Sequence, residues 1–392
     1  MEIPLINDSF GIMAVLLVVP AVIYTLANTK ACGKFFTIIP TLVFAYFVPT
    51  LLSACNVIPM KAAIYSDIKT YLLPASLLLL TISVDIKGIL GLGYKAVIMF
   101  LTATAGVVIG GPIALIIFKN FLPPDAWQGM AALAGSWIGG GANFIAIGSA
   151  VGATSTMLGM MVIVDVLASN IWRGGVFFLA GKAQKIDRYL NADTSAINDL
   201  VNKTVEFQEK TKRVATTVDY MVMLGGTFAI TWIAMKIGDI LPEIGTIISH
   251  STWRLVIITT VGVALSFTKI KNYDGAGASK IGSVLLYMLI GVIGAGANVK
   301  EVMNYPLLFA MGITWIGVHV IIMIVVMKLI RAPLFFMAVG SQANIGGAAS
   351  APIVASAFHP ALASVGVMLG IAGYVLGTYA ALLCAWMLKL VA

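Results

Sequence analysis

The chain has 392 residues, of which 60% are hydrophobic and 10% are charged, and its mean hydropathy is +1.01. A soluble domain carries about 25% charged residues, so this composition excludes a soluble globular protein and predicts a chain that crosses the membrane several times. The net charge of +8 does not indicate nucleic acid binding, because excess lysine and arginine in a membrane protein marks cytoplasmic loops.

Apolar segments that approach or exceed the roughly 20 residues needed to cross a hydrocarbon core recur along the chain. The predicted spans are 10–28, 36–57, 70–86, 96–118, 156–179, 217–240, 250–268, 281–298, 305–327 and 361–387. The first follows Glu2 and Asp8 and has no small-residue cleavage site, so it is predicted to be a span and not a signal peptide. The sequence therefore predicts an all-α polytopic membrane protein.

The apolar segment 126–151 is interrupted where a membrane helix should be continuous. Its centre reads GSWIGGGANF, and each glycine costs a helix about 1 kcal/mol relative to alanine. Since lipid cannot satisfy freed backbone groups, we expect the break to be buried in protein or to line a wet cavity. The candidate substrate-binding residues here are Ser136, Trp137, Gly139, Gly140, Gly141 and Asn143.

Asp165 lies in the next span, within the apolar sequence MLGMMVIVDVLASNIW. A carboxylate at a helix centre costs about 2.5–3.5 kcal/mol to insert, so it needs a partner or a wet cavity. We predict that Asp165, Asn143 and Asn344 form a candidate Na⁺ site, or that Asp165 itself carries a proton. A structural carboxylate, paired with Arg173 on the same helix or with the backbone, is the alternative.

The hydrophilic segment 181–216 divides the chain into an N-terminal repeat, 1–180, and a C-terminal repeat, 217–392. A solvated, partly helical cytoplasmic linker is the expected structure of this segment, and a regulatory role is the alternative. A shift of 207 residues places the first broken segment over a second one, at 333–357, with 8 identities in the 21 positions from 130 to 150. The candidate substrate-binding residues of the second segment are Ser341, Gln342, Asn344, Gly346, Gly347 and Ser350. For the small and amide residues of both segments, a role in helix–helix packing is the alternative.

The orientation of the two halves depends on whether the broken segments cross the membrane. If both re-enter without crossing, each half has about five spans and the repeats are inverted; if both cross, the halves are parallel. The distribution of basic residues fits both arrangements. We predict inverted repeats, because broken helices in inverted repeats are a recurrent transporter architecture.

Each break can bind ions of both signs. The N-terminus of a half-helix carries about half a positive charge and attracts carboxylates, whereas freed carbonyl groups and side-chain oxygens suit a small cation. The sequence contains no HExxH, GxSxG or Walker motif, so no enzyme activity, catalytic residue or cofactor is predicted. A channel and a membrane-embedded enzyme or sensor remain alternatives to a transporter.

The sequences GSWIGGGANFIAI, GSQANIGGAASAPIVASAF and LLPASLLLLTISVDIKGI resemble those of the YjcL-like family of bacterial membrane proteins, a domain of unknown function, over essentially the whole chain. The paired glycine-rich segments resemble, more distantly, those of sodium:glutamate and sodium–citrate (2-hydroxycarboxylate) symporters. That resemblance implies inverted five-span domains, re-entrant hairpins, Na⁺ coupling and elevator-type movement in a homodimer. The second break reads SQANIGGAAS and is not a pure glycine run, so substrate identity does not carry over.

Together these features predict a secondary active transporter in the bacterial inner membrane. Its substrate would be a small solute, expected to bear a carboxylate, such as an amino acid, a short peptide or an organic acid. The expected coupling ion is Na⁺, with H⁺ as the alternative.

Overall fold

The computed structural model describes residues 4–38, 41–84, 89, 91–192, 214–243, 249–296, 307–359 and 362–392. The regular structure in this part of the chain is helical. Eight of its helices are long and apolar enough to cross a membrane by length and composition. The chain is therefore a membrane protein with several transmembrane helices.

The helices of the described residues are numbered in chain order. Their bounds are α1 Ser9–Ala27, α2 Gly33–Ile38, α3 Thr41–Ala54, α4 Ala63–Ile82, α5 Tyr94–Phe118, α6 Ala126–Ala150, α7 Ser155–Ala180, α8 Ala183–Leu190, α9 Thr217–Ile240, α10 His250–Ser266, α11 Ala278–Ala295, α12 Leu307–Leu329, α13 Leu334–Ile345, α14 Gly347–Phe358 and α15 Ala363–Val391. Most predicted spans agree with these bounds within a few residues. The predicted span 36–57 is instead covered by two helices, α2 and α3.

The helices pack in two groups. We call α1, α3, α4, α9, α10 and α11 the flanking bundle, and α5, α6, α7, α12, α13, α14 and α15 the hairpin bundle. Apart from the short helices α2 and α8, each half of the sequence gives its first three helices to the flanking bundle and its remaining helices to the hairpin bundle. The two halves of the sequence are thus intertwined in space.

Helix α6 folds back on itself at Gly140, whose φ of 71° and ψ of −172° are open essentially to glycine alone. At the base, the Gln128 side chain donates a hydrogen bond of 2.9 Å to the Val151 carbonyl. Further along, a Cβ added at Gly148 would lie 3.3 Å from the Ala132 Cβ. Residues 16 or more apart in sequence are therefore neighbours, and α6 is a hairpin of two helical arms, which we call the first hairpin.

Helices α13 and α14 form the second hairpin. They are separated by Gly346, and Gly347, the first residue of α14, has a φ of 59°. The rings of Phe335 and Phe358 lie 5.5 Å apart, so the far ends of the two arms are adjacent. The two glycines with positive φ, Gly140 and Gly347, are the pair that the 207-residue shift superimposes.

The linker begins with α8, which is tied to the base of the second hairpin. The Leu334 backbone N–H, at the start of α13, donates a hydrogen bond of 2.7 Å to the Asp187 carboxylate. Residues 193–213 of the predicted linker lie outside the described part of the chain. The described part of the linker is thus held to the hairpin bundle by at least this bond.

Helices α5 and α12, each of which precedes a hairpin, pack against one another in opposite directions. The His319 Nδ1 atom lies 3.1 Å from the Ala103 carbonyl oxygen, and the Trp315 Nε1 atom donates a hydrogen bond of 2.8 Å to the Val107 carbonyl. Residue numbers therefore fall along α12 as they rise along α5. The two helices that precede the hairpins are therefore antiparallel.

Replacing Gly140 with alanine should lower the stability of the protein by about 1–3 kcal/mol, because its backbone conformation is strained for any residue with a Cβ. The measurement is thermal unfolding of the detergent-purified variants. Gly317→Ala in α12 is the matched control, since no atom lies within 4 Å of the added Cβ. Equal melting temperatures for Gly140→Ala and wild type would contradict the fold-back at this glycine.

Candidate functional site

Both hairpins pack on a stripe of glycines along α15. Gly366, Gly370, Gly373 and Gly377 are spaced by four, three and four residues and so lie on one helix face. A Cβ added at Gly370 would lie 2.5 Å from the Ala348 nitrogen, so the second hairpin and α15 are in close backbone contact. Glycine permits this approach because it has no side chain to separate the two backbones.

The two hairpins reach α15 from opposite ends. The second hairpin contacts Gly366 and Gly370 with α14, whereas the first hairpin contacts Gly373 and Gly377 around Gly139. At the far end of the first hairpin, the Lys389 ammonium lies 5.5 Å from the Trp127 ring centroid. Gly370 and Gly373 are three residues apart, which is about 4.5 Å along a helix axis. The hairpin tips therefore meet within one turn of α15.

Asn143 holds the first hairpin against α15. Its amide nitrogen donates hydrogen bonds of 3.1 Å to the Gly139 and Tyr374 carbonyls, and its oxygen accepts one of 2.8 Å from Thr378. These contacts fix the arm that follows the break, and the Asn143 oxygen is already engaged with a protein donor. The Asn143 side chain therefore has a structural role, because it joins the first hairpin to α15.

Asn344 holds the second hairpin against α5 in the same way. Its oxygen accepts a hydrogen bond of 2.9 Å from Thr104, and its nitrogen donates to the Gly340 carbonyl at 3.1 Å and the Phe100 carbonyl at 3.4 Å. In both cases the threonine lies four residues after an accepting residue of its own helix: Thr378 follows Tyr374, and Thr104 follows Phe100. Within the described residues, no hydrogen bond joins Asn143, Asn344 and Asp165, so their shared Na⁺ site remains a prediction.

Asp165 is bound by two residues of the first hairpin. The Ser136 hydroxyl donates to one carboxylate oxygen at 2.6 Å, and the Trp137 indole N–H donates to the other at 2.8 Å. The Trp137 ring packs edge-on against Trp315, with the centroids 4.9 Å apart. Arg173, the alternative partner, instead donates to Asn170 at 3.0 Å. The first hairpin therefore supplies the hydrogen-bond partners that we expected for a carboxylate within an apolar span.

A small cavity, with room for about one water molecule, lies between the two bundles. Three predicted residues line it: Ser136, Gly141 and Asp165. The remaining lining residues are Tyr46, Phe144, Ile145, Val162, Ile290 and Ile293. Trp137 is fully buried beside the cavity and does not line it. The cavity brings residues of the first hairpin together with α7, α3 and α11.

Ser341 belongs to a chain of hydrogen bonds in the second hairpin. Trp172 donates to its hydroxyl at 2.8 Å, and His319 Nε2 lies 2.9 Å from that same oxygen. Since the Ala103 carbonyl can only accept, His319 Nδ1 carries the hydrogen, and in the neutral ring Nε2 accepts from Ser341. Ser341 is thereby engaged within the protein.

Gln342 is the predicted site residue that the protein leaves unsatisfied. Its side chain is 0% exposed, and neither the amide oxygen nor the amide nitrogen has a hydrogen-bond partner within the described residues. A point beside Gly346, where a Cβ would stand, lies 3.1 Å from the Gln342 oxygen and 2.6 Å from the Ser350 hydroxyl oxygen. An unpaired buried amide costs about 1–3 kcal/mol, so this group at the second tip is suited to a ligand.

Several residues of the site were missed by sequence reasoning. The glycines of α15 carry a detectable signal, since GVMLGIAGYVLG contains two GxxxG motifs three residues apart. Thr104, Thr378 and Tyr46 carry no such signal, because single hydroxyl-bearing residues are common in apolar spans. Their partners lie at least 100 residues away in sequence and are brought together only by helix packing.

Comparison with known proteins gives a match over nearly the whole chain. The profile of a family described as "Protein of unknown function (DUF819)" matches residues 14–391. The chain is also 23% identical over 346 residues to the "Uncharacterized membrane protein YjcL" of Bacillus subtilis (strain 168), a match that covers 83% of each protein. The family match includes both hairpins and α15, and the expected YjcL-like resemblance is confirmed.

Replacing Gln342 with methionine should raise the stability of the ligand-free protein by about 1–3 kcal/mol, because it removes a buried amide that has no partner. The same variant should lose activity if the amide contacts a ligand. The matched control is Gln128→Met, which removes a satisfied amide and should lower stability by about 0.5–1.5 kcal/mol. Thermal unfolding of both variants decides the matter; a less stable Gln342→Met would show that the amide is satisfied within the protein.

Proposed function

We propose that this chain, which belongs to the DUF819 family, is a secondary active transporter that couples the movement of a small solute to an ion gradient. The meeting of two hairpin tips on α15 is the observation that carries this proposal. Backbone breaks at membrane depth persist only in protein or beside a wet cavity, and here two of them converge on one helix. Such a site is accessible to a solute only by movement of the protein around it.

An inverted-repeat architecture with two re-entrant hairpins is part of the proposal. The antiparallel packing of α5 and α12 supports it, because equivalent helices of inverted repeats run in opposite directions. The approach of the hairpins from opposite ends of α15 supports it further, since each hairpin would then enter from its own side of the membrane. The tips would meet near the membrane midplane, where the substrates of such transporters bind.

The division into two bundles supports elevator-type alternating access as part of the proposal. Movement of the hairpin bundle along the flanking bundle would carry the cavity across the membrane. Ile290 and Ile293 of α11 supply the flanking wall of the cavity, whereas Phe144 and Val162 supply the hairpin wall. A solute bound there would therefore contact both bundles, which would give it the means to bias their relative position.

Na⁺ is the proposed coupling ion, with H⁺ as the alternative. The oxygens open to a cation are the remaining lone pairs of Asp165 and the unpaired amide oxygen of Gln342. The proposed solute bears a carboxylate, which the starts of the hairpin arms attract. We place the transporter as a homodimer in the bacterial inner membrane, in keeping with the symporter resemblance.

Purified protein in liposomes should accumulate an amino acid, short peptide or organic acid above its external concentration when an inward Na⁺ gradient is imposed. Gly370→Ala should reduce this uptake at least tenfold, because the added Cβ meets the second tip. Gly317→Ala is the control that should leave uptake unchanged. Unitary currents independent of any solute gradient would favour a channel, and product formation without a gradient would favour an enzyme.

A further inference from the structure

Basic side chains cluster at the end of the hairpin bundle where the second hairpin begins. Helix α5 starts at this end, α12 finishes there, and α8 follows the end of α7. The Lys95 ammonium donates a hydrogen bond of 3.3 Å to the Arg331 carbonyl, and the bond between Leu334 and Asp187 joins α8 to the same place. We call this region the basic surface, and its members are Lys95, Lys182, Lys185, Arg188, Lys328 and Arg331.

Helix α8 presents the basic part of this surface outward. Ala183, Ile186 and Leu190 recur at helical spacing and pack against an apolar core formed mostly by the hairpin bundle. Lys185 and Arg188 lie on the opposite, exposed side of the helix. Helix α8 therefore lies along the hairpin bundle with its apolar face covered and its basic face open.

The positive charge of the basic surface is not balanced by the protein around it. The described segments 93–97, 181–192 and 326–336 contain one carboxylate, Asp187, which accepts a hydrogen bond from the Leu334 backbone. Within the described part of the chain, no ion pair involves the six basic side chains. Like charges held close together repel one another, so an anion bound at this surface would stabilise the fold.

The ends of the helices do not account for all six charges. Lys328 lies in the last turn of α12 and Arg188 in the last turn of α8, where the helix dipole favours a cation. Lys95 instead lies in the first turn of α5, where the dipole disfavours one. A shared anionic ligand gives one reason for the whole cluster.

Exposed aromatic rings place the basic surface at the level of the lipid headgroups. Tyr94, Phe178 and Tyr189 are 67%, 64% and 78% exposed. The Lys182 ammonium lies 4.1 Å from the Phe178 ring centroid, and the Lys95 ammonium lies 6.0 Å from that of Tyr94. Tyrosine at the end of a span is typical of the headgroup region, and lysine extends over apolar surface to reach it.

We infer that the basic surface binds the headgroup of an anionic phospholipid, with the phosphate between α8 and the turn from α12 to α13. A Lys or Arg beside a membrane-spanning helix increases the affinity for anionic lipid by about fivefold. Because Asp187 joins α8 to the base of the second hairpin, the lipid lies where that hairpin begins. The inference goes beyond the proposed transport function and does not depend on it.

The test is titration of the full-length protein in a nonionic detergent with dioctanoyl phosphatidylglycerol, followed by native mass spectrometry and thermal unfolding. This lipid should bind at least tenfold more tightly than dioctanoyl phosphatidylcholine, which has the same acyl chains and no net charge. The preference should fall when NaCl is raised from about 50 to about 500 mM, because salt screens exposed charges. Equal binding of the two lipids would overturn the inference.

Glycerol 3-phosphate separates a lipid from a soluble phosphate compound. It carries the phosphate without acyl chains and should not displace phosphatidylglycerol at equal concentration. If it binds as tightly as the lipid, the surface takes a soluble ligand and the inference is wrong.

Neutralising α8 should weaken phosphatidylglycerol binding about 10- to 100-fold and leave phosphatidylcholine binding unchanged. The variant combines Lys182→Gln, Lys185→Gln and Arg188→Gln. Without lipid its melting temperature should equal or exceed that of the wild type, because the substitutions relieve repulsion between like charges. A lower melting temperature together with unchanged lipid affinity would assign these residues to folding and overturn the inference.

The matched control removes the same charge from exposed lysines outside the basic surface. It combines Lys30→Gln, Lys269→Gln and Lys280→Gln and should bind phosphatidylglycerol as the wild type does. Equal losses in the two triple variants would show that net charge alone attracts the lipid, and no site would remain at α8.

A further variant tests the part of the surface that other helices supply. Lys95→Gln combined with Arg331→Gln should weaken phosphatidylglycerol binding about 5- to 25-fold, although neither residue belongs to α8. Unchanged affinity in this double variant would contradict the placement of the headgroup between α8 and the turn from α12 to α13.

Discussion

The backbone constraint of the lipid phase governs the rest of this structure. In the proposed arrangement the peptide groups freed at Gly140 and Gly347 lie within the hydrocarbon region, where they have no water to bind and need protein around them. The fold meets this requirement by placing both tips on α15, where four glycines allow backbone to approach backbone. The tip positions, the asparagine contacts and the location of the cavity all follow from this arrangement.

The polar side chains near the two breaks have different hydrogen-bond partners, although both hairpin tips meet on α15. In the first hairpin Ser136 and Trp137 are directed to a carboxylate on α7, and the cavity opens beside them. In the second, Ser341 is engaged with His319 and Trp172, whereas Gln342 is buried without a partner. The two segments thus share a glycine with positive φ but present different side chains beside it.

The walls of the cavity come from both bundles. Walls that belonged to a single rigid bundle would bind a solute without linking it to movement. Here the α11 side chains oppose those of the first hairpin, so under the proposed mechanism a bound solute would contact both bundles. The bond between Asp187 and Leu334 links α8 to the second hairpin, so the start of the linker lies with the hairpin bundle.

The sequence by itself determined the membrane class, most of the helices and the positions of both breaks. These features are local: hydropathy over about 20 residues and the clustering of glycine are written in consecutive positions. The 207-residue shift even paired the two glycines that adopt positive φ. It also selected Asp165 correctly as a residue that needs partners, since the insertion cost of a carboxylate does not depend on the fold.

Only the tertiary structure decided what each polar residue does. Asn143 and Asn344 remain predicted ion ligands, and the structure adds that both amides are joined to helices more than 200 residues away in sequence. Arg173 was a possible partner of Asp165, yet the indole and hydroxyl groups of the first hairpin occupy that carboxylate. Such pairings depend on which helix faces lie opposite one another, and helix packing across two intertwined halves is not encoded in the spacing of residues along either half.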